Sequence, residues 1–131
     1  MHRHDPDVLI AGAGPVGLFA ALRLARAGVR VQIVDAERDT AAKSYALALH
    51  PRSLALLDEV GVAGEVLRRG VRVRKVAFYD RSERRAEISL AELGGPFPEV
   101  VVLPQSVLED LLVQRLHERH VRVGRDLLRR R

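Results

Sequence analysis

Cysteine is absent from the 131-residue sequence. That excludes disulfides, thiolate catalysis and cysteine-based metal centres, and it is compatible with a cytoplasmic protein. Aromatic residues are few: three Phe, two Tyr and no Trp. None of them lies in a basic cluster, so the stacking platform used by nucleic-acid binders is missing. Lysine is almost absent too, with only Lys43 and Lys75. The net charge of +5 therefore rests on arginines, most of them scattered among acids. The one dense patch, Arg125 with Arg129, Arg130 and Arg131, reads as a solvated tail. No apolar run is long enough to span a membrane or to form a signal-peptide core, and the opening Met1-His2-Arg3-His4-Asp5-Pro6 does not resemble a leader. Internal repeats and low-complexity segments are also missing. These absences argue against nucleic acid, membranes and secretion.

A hydrophobic content of 47% with 30% charged residues is that of one modest globular domain able to bury a core. Its most informative stretch is residues 8–17, Val-Leu-Ile-Ala-Gly-Ala-Gly-Pro-Val-Gly. A short apolar strand feeds three glycines, and an amphipathic segment follows over residues 15–27. This is the strand–turn–helix fingerprint of a dinucleotide-binding βαβ unit. Gly12 permits a sharp turn off the strand, Gly14 leaves room for a diphosphate to approach the backbone, and Gly17 lets the helix lie close to the sheet. Pro15 suits the first helical position, where its missing N–H costs nothing. The first helical turn then presents free N–H groups and a positive dipole end to an anion. Residues 29–34 read as a buried parallel strand ending at Asp35, whose carboxylate is placed to accept hydrogen bonds from an adenosine ribose. Glu37, two residues past the strand, is the competing acid.

Downstream, the pattern predicts a polar connector over 36–44, a helix over 51–60 and a short helical turn over 62–69. An antiparallel hairpin is expected from 71–79 and 85–90, joined by Asp80-Arg81-Ser82-Glu83. A strand at 100–103 and a helix over 104–120 follow, the helix carrying a stripe of Val107, Leu108, Leu111, Leu112 and Leu116. Glu109 and Asp110 are read as acids near its positive end, and Val121-Arg122-Val123 begins another strand. The expected fold is α/β: a Rossmann-like FAD- or NAD(P)-binding βαβ domain with an inserted antiparallel β-hairpin, incomplete at the C-terminus. Within one domain over 1–131, residues 1–70 and 100–131 would form the Rossmann-like part and 71–98 the insertion. An unpaired edge around 121–128 would favour self-association or a partner chain.

The run from Val8 to Asp35, then His50-Pro51-Arg52-Ser53, then Leu103-Pro104-Gln105-Ser106 before a helix, resembles the first part of the FAD-dependent aromatic hydroxylases. These are single-component flavoprotein monooxygenases of the p-hydroxybenzoate hydroxylase type, and the likeness is closest to the polyketide and phenol hydroxylases. The resemblance implies that Gly12, Ala13, Gly14, Pro15, Val16 and Gly17 hold the FAD diphosphate. It places Asp35, where the family more often has glutamate, on the ribose, and Gln105 at the diphosphate–ribityl region. It further implies NAD(P)H as reductant, O2 as oxidant and a small aromatic or polyketide-type substrate, with the hairpin on the substrate side. The family usually has an arginine within Ser-Arg-Ala-Leu, whereas this chain reads Ser44-Tyr45-Ala46-Leu47, so Tyr45 replaces a cation. The family's later Gly-Asp and Asp-Gly motifs have no counterpart in these residues. The expectation is a FAD-binding portion inactive by itself.

Two other readings stand beside it. One is a non-catalytic nucleotide-binding half-domain; the other is an NAD-dependent oxidoreductase, which the glycine turn and Asp35 alone admit equally. A metal site at His117 and His120 lacks further ligands at suitable spacing. A hydrolytic set of His50, Ser53 and Asp58 lacks the strand–helix elbow that such a nucleophile needs.

Overall fold

The computed structural model describes residues 5–36 and 45–125. Glu37, Lys43, Ser44 and the arginines at 129–131 lie outside them, as does most of the connector expected over 36–44. Two compact units form, one from the chain up to Tyr45 together with the part from Gln105 onward, the other from Ala46 to Pro104.

The first unit is built on a parallel sheet. Strand β1 (Val8–Ala11) pairs with β2 (Val31–Asp35), and β2 pairs with β8 (Val123–Arg125), giving the order β1-β2-β8. Helix α1 (Pro15–Arg26) connects β1 to β2 and packs against both strands and against α4 (Gln105–Glu118). Leu18, Ala21 and Leu22 of α1, Ile33 and Val34 of β2, and Leu108, Leu111, Leu112 and Leu116 of α4 form the core. The apolar stripes of both helices are thus used as their spacing requires, four of the five stripe positions in α4 being buried. At the start of β1, Asp7 and Arg30 form a two-bonded ion pair of 2.6 and 3.0 Å. The guanidinium lowers the Asp7 carboxyl to about 2. Among the described residues β1 and β8 are the edges of this sheet, and Leu9 of β1 is exposed. No described helix is long and apolar enough to cross a membrane.

The second unit holds an antiparallel sheet of order β3-β7-β4, from β3 (Ala46–Leu49), β7 (Val100–Pro104) and β4 (Val71–Val73). Helices α2 (Pro51–Glu59) and α3 (Ala63–Arg69) pack together, and α3 lies on β7, around Leu54, Leu57, Val60, Val62, Val66, Val101 and Leu103. A separate hairpin, β5 (Lys75–Asp80) with β6 (Glu83–Ser89), follows β4. Two expectations are corrected. Residues 71–73 do not extend the hairpin, because Val71 to Val73 take Val102 to Val100 as partners. The stretch 46–49, to which the sequence reading assigned nothing, is a strand made by its pairing with β7. The strand read at 29–34 is shifted to Val31–Asp35.

Glu99, just before β7, is 3% exposed and carries a bidentate pair from Arg72 at 2.6 and 2.7 Å, with Arg74 Nε adding a third bond at 3.2 Å. Arg72 above all, by hydrogen bonding, holds the Glu99 carboxyl below its ordinary value. Because both arginine heads reach solvent, the pairing is worth less than a fully enclosed one. Glu99→Gln is expected to cost about 2 kcal/mol at neutral pH. A carboxyl whose folded value is depressed contributes fully above its ordinary value of 4.5 and loses that contribution as acid titrates the folded group. Urea unfolding as a function of pH checks this: the gap between wild type and variant should be widest at neutral pH and close in acid. A gap independent of pH would contradict it.

Candidate functional site

The glycine turn stands at the carboxyl ends of the parallel strands, where open α/β sheets place their ligands. The β1–β2 ladder registers Ala11 with Val34, and the Gly12 N–H donates to the Val34 carbonyl at 2.8 Å. Gly12 then takes φ +109°, a conformation that L side chains rarely adopt, and the chain turns off the sheet. Gly14 caps α1 in an extended conformation, and its carbonyl accepts from the Leu18 N–H at 2.9 Å. Pro15 occupies the first helical position. Helix geometry leaves the N–H groups of Val16 and Gly17 without intrahelical acceptors, so they and the dipole face the turn's mouth.

The three glycines do different work. A Cβ on Gly17 would stand 2.0 Å from the Gly12 carbonyl oxygen and 3.4 Å from Ile10 Cγ2, so the close approach of helix to turn requires glycine. A Cβ on Gly14 would meet no protein atom within 4 Å. The protein itself does not demand glycine there, and the open space is what an approaching diphosphate would use. Asp35 lies at the end of β2, where the sequence places it. Its Oδ2 accepts the Ala13 N–H at 2.5 Å, a bond that sequence reasoning did not foresee. The turn and the acid are therefore one connected piece.

Gln105 begins α4. Its N–H donates to the Tyr45 carbonyl at 2.8 Å, and its side-chain Nε2 donates to Glu109 Oε1 at 2.8 Å. The segments around Tyr45 and Gln105, remote in sequence, thus meet through the backbone. Glu109, read from the sequence as an acid at the positive helix end, is 3% exposed. It shares a helix face with Leu112 and Leu116, at spacings of three and seven, and that spacing is the signal that could have found it. Tyr45 itself is 64% exposed. Arg52 lies exposed near the start of α2, and His117 and His120 are exposed at the end of α4. Two open grooves of about 500 and 550 Å³ lie at the other end of the strands, the first lined by His117, His120, Arg122 and Val123 and the second chiefly by Gly28, Arg30, Arg119, His120 and Arg122. They share no residue with the glycine turn.

The family described as FAD binding domain matches residues 5–127. The chain is 38% identical over 113 residues to 6-methylpretetramide 4-monooxygenase of Streptomyces rimosus, across 85% of this chain and 20% of that relative. It is 30% identical over 109 residues to pentachlorophenol 4-monooxygenase of Sphingobium chlorophenolicum, across 82% and 20% respectively. The crystal structure of p-nitrophenol 4-monooxygenase from Pseudomonas putida superposes with a TM-score of 0.84 at 28% identity, covering 91% of this chain and 31% of that one. A flavin-dependent monooxygenase crystallised with FAD and substrate gives a TM-score of 0.74 at 28% identity, covering 93% and 24%. The chain spans about a fifth of the length of the two sequence relatives.

Proposed function

Since this chain belongs to the FAD binding domain family, we propose that it forms the ADP-gripping part of a flavin-dependent monooxygenase acting on aromatic substrates. FAD is the cofactor of that family, which decides between the two dinucleotides that a glycine turn and an acid would otherwise admit equally. The observation that carries the reading is the turn itself, with Gly17 forced by contact, Gly14 open and the first N–H groups of α1 left without intrahelical acceptors.

In this reading the N–H groups of Val16 and Gly17 bind the diphosphate, with Gly12, Ala13, Gly14 and Pro15 shaping the approach. Asp35 receives the adenosine ribose. Gln105 reaches the diphosphate–ribityl region from a side chain fixed by Glu109. When bound, the flavin would supply the redox chemistry, with electrons drawn from NAD(P)H, one oxygen atom of O2 entering the ring and the other leaving as water. The protein's part is to hold the cofactor in place and to keep water from the reacting end. The aromatic substrate class is supported by the relatives, which are named for oxygenation of 6-methylpretetramide and pentachlorophenol.

Titrating the protein into FAD while following flavin fluorescence tests the reading. We expect saturable binding that ADP competes away and that FMN, which lacks the AMP half, does not. Binding with FMN as effective a competitor as ADP would place the contacts on the flavin half and overturn the assignment.

Gln105→Ala is expected to weaken FAD by about tenfold or less, because one neutral hydrogen bond of about 0.5–1.5 kcal/mol is lost. The same change takes the Gln105 donor from the buried Glu109, so a stability loss of about 1–2 kcal/mol should accompany it. Calorimetric titration and thermal melting of one variant read both effects. Complete loss of FAD with the fold intact would contradict the minor role given to Gln105.

A further inference from the structure

In a regular parallel ladder alternate residues of β1 donate an N–H to a β2 carbonyl, and the residues between them face the other way. Gly12 makes the last such bond, to Val34, and its φ of +109° then carries the chain away. Ala13 is left 5% exposed, with its N–H pointing at the end of β2. The group that meets it is a carboxylate: Asp35 Oδ2 stands 2.5 Å from the Ala13 nitrogen. A buried N–H without an acceptor is strongly disfavoured, and an ionised acceptor makes the stronger kind of bond. The turn at Gly12 brings this N–H to the end of β2, and the Asp35 side chain supplies its acceptor.

We propose that Asp35 is a positioning residue for the glycine turn, holding it in the diphosphate-admitting shape before any ligand arrives, in addition to the ribose role assigned above. The side-chain length matters to this role. Aspartate at the last position of β2 reaches the Ala13 N–H directly. The ligand half of this inference rests on the FAD reading; the turn half does not.

The test therefore has two arms on the full chain. In the first, amide hydrogen exchange is followed by NMR without ligand. Asp35→Ala should speed exchange at Ala13 by about tenfold or more, the loss expected for a charge-assisted bond, while Leu22 and Ile33 in the core keep their rates. Asp35→Asn keeps an oxygen acceptor without the charge and should speed Ala13 by roughly threefold, about half the effect on a free-energy scale. Should the alanine variant fail to fold, the asparagine variant reads the same amide. An Ala13 rate equal to that of wild type in the variant that folds overturns the proposal.

In the second arm, ADP and 2′,3′-dideoxy-ADP are titrated calorimetrically. A residue acting on the turn should cost affinity for both nucleotides when replaced. A loss that vanishes with the dideoxyribose means that Asp35 acts on the ribose alone, and it overturns the positioning role. Absence of ADP binding to the wild type would strike the FAD reading, while the exchange arm would still decide the role of Asp35 in the turn.

Discussion

Gly17→Ala should destabilise the first unit by roughly 3 kcal/mol or more, a lowering of melting temperature of roughly 10 °C for a chain of this size. The added methyl would lie 2.0 Å from the Gly12 carbonyl oxygen and 3.1 Å from the Gly12 carbonyl carbon. Both are backbone atoms of a residue already held at φ +109°, so neither can rotate away as a side chain could. Relief requires lifting α1 off the turn, and α1 carries Leu18, Ala21 and Leu22, all at most 1% exposed. The contact that positions the binding site is thus also one that holds the unit together. Thermal unfolding followed by circular dichroism gives the answer directly. A midpoint within about 2 °C of wild type would mean that the helix does not approach the turn as described.

Gly14→Val should do the reverse, leaving the fold nearly intact while removing the ligand. No protein atom lies within 4 Å of the new Cβ, and φ −76° with ψ 179° suits any L residue. Loss of a favourable cap residue should cost no more than about 1 kcal/mol. The valine would nevertheless occupy the space through which the backbone N–H groups reach the diphosphate. Affinity for FAD and for ADP should fall on the order of a hundredfold or more, about 2.7 kcal/mol. Fluorescence titration of a variant shown by melting to be folded measures it. Two glycines three residues apart are therefore expected to separate cleanly, one serving the fold and the other the ligand.

The parts of this structure that are legible in the sequence are those whose causes are local. The turn's glycines, Pro15 and the stripes of α1 and α4 follow from backbone and helix geometry over a few residues, and they reappear at Pro15–Arg26 and Gln105–Glu118. The elements that sequence reading missed depend on distant partners. Ala46–Leu49 carries two alanines and no β-branched residue, and it is a strand because β7 offers a ladder from Val101 to Pro104. Val71–Val73 has the alternation of a hairpin arm but finds its partner in the same β7.

Charged residues were harder to place than apolar ones, because a charge on a surface and a charge in a paired, buried position look alike in a sequence. Glu99 is buried only because Arg72 and Arg74 reach it from residues more than twenty positions away. Glu109 offers more warning, standing in register with Leu112 and Leu116 and one helical turn after Gln105. Asp35 was placed at the right position with one role, and the structure adds a bond to the turn.

The central claim is that the ADP half of the cofactor rests on the glycine turn. Backbone amide shifts recorded by NMR during titration with ADP test it most directly. The perturbed amides should cluster on Gly12, Ala13, Gly14, Val16, Gly17 and Asp35. Perturbations confined to the basic grooves around Gly28, Arg30, Arg119 and Arg122, with the turn unmoved, would contradict it.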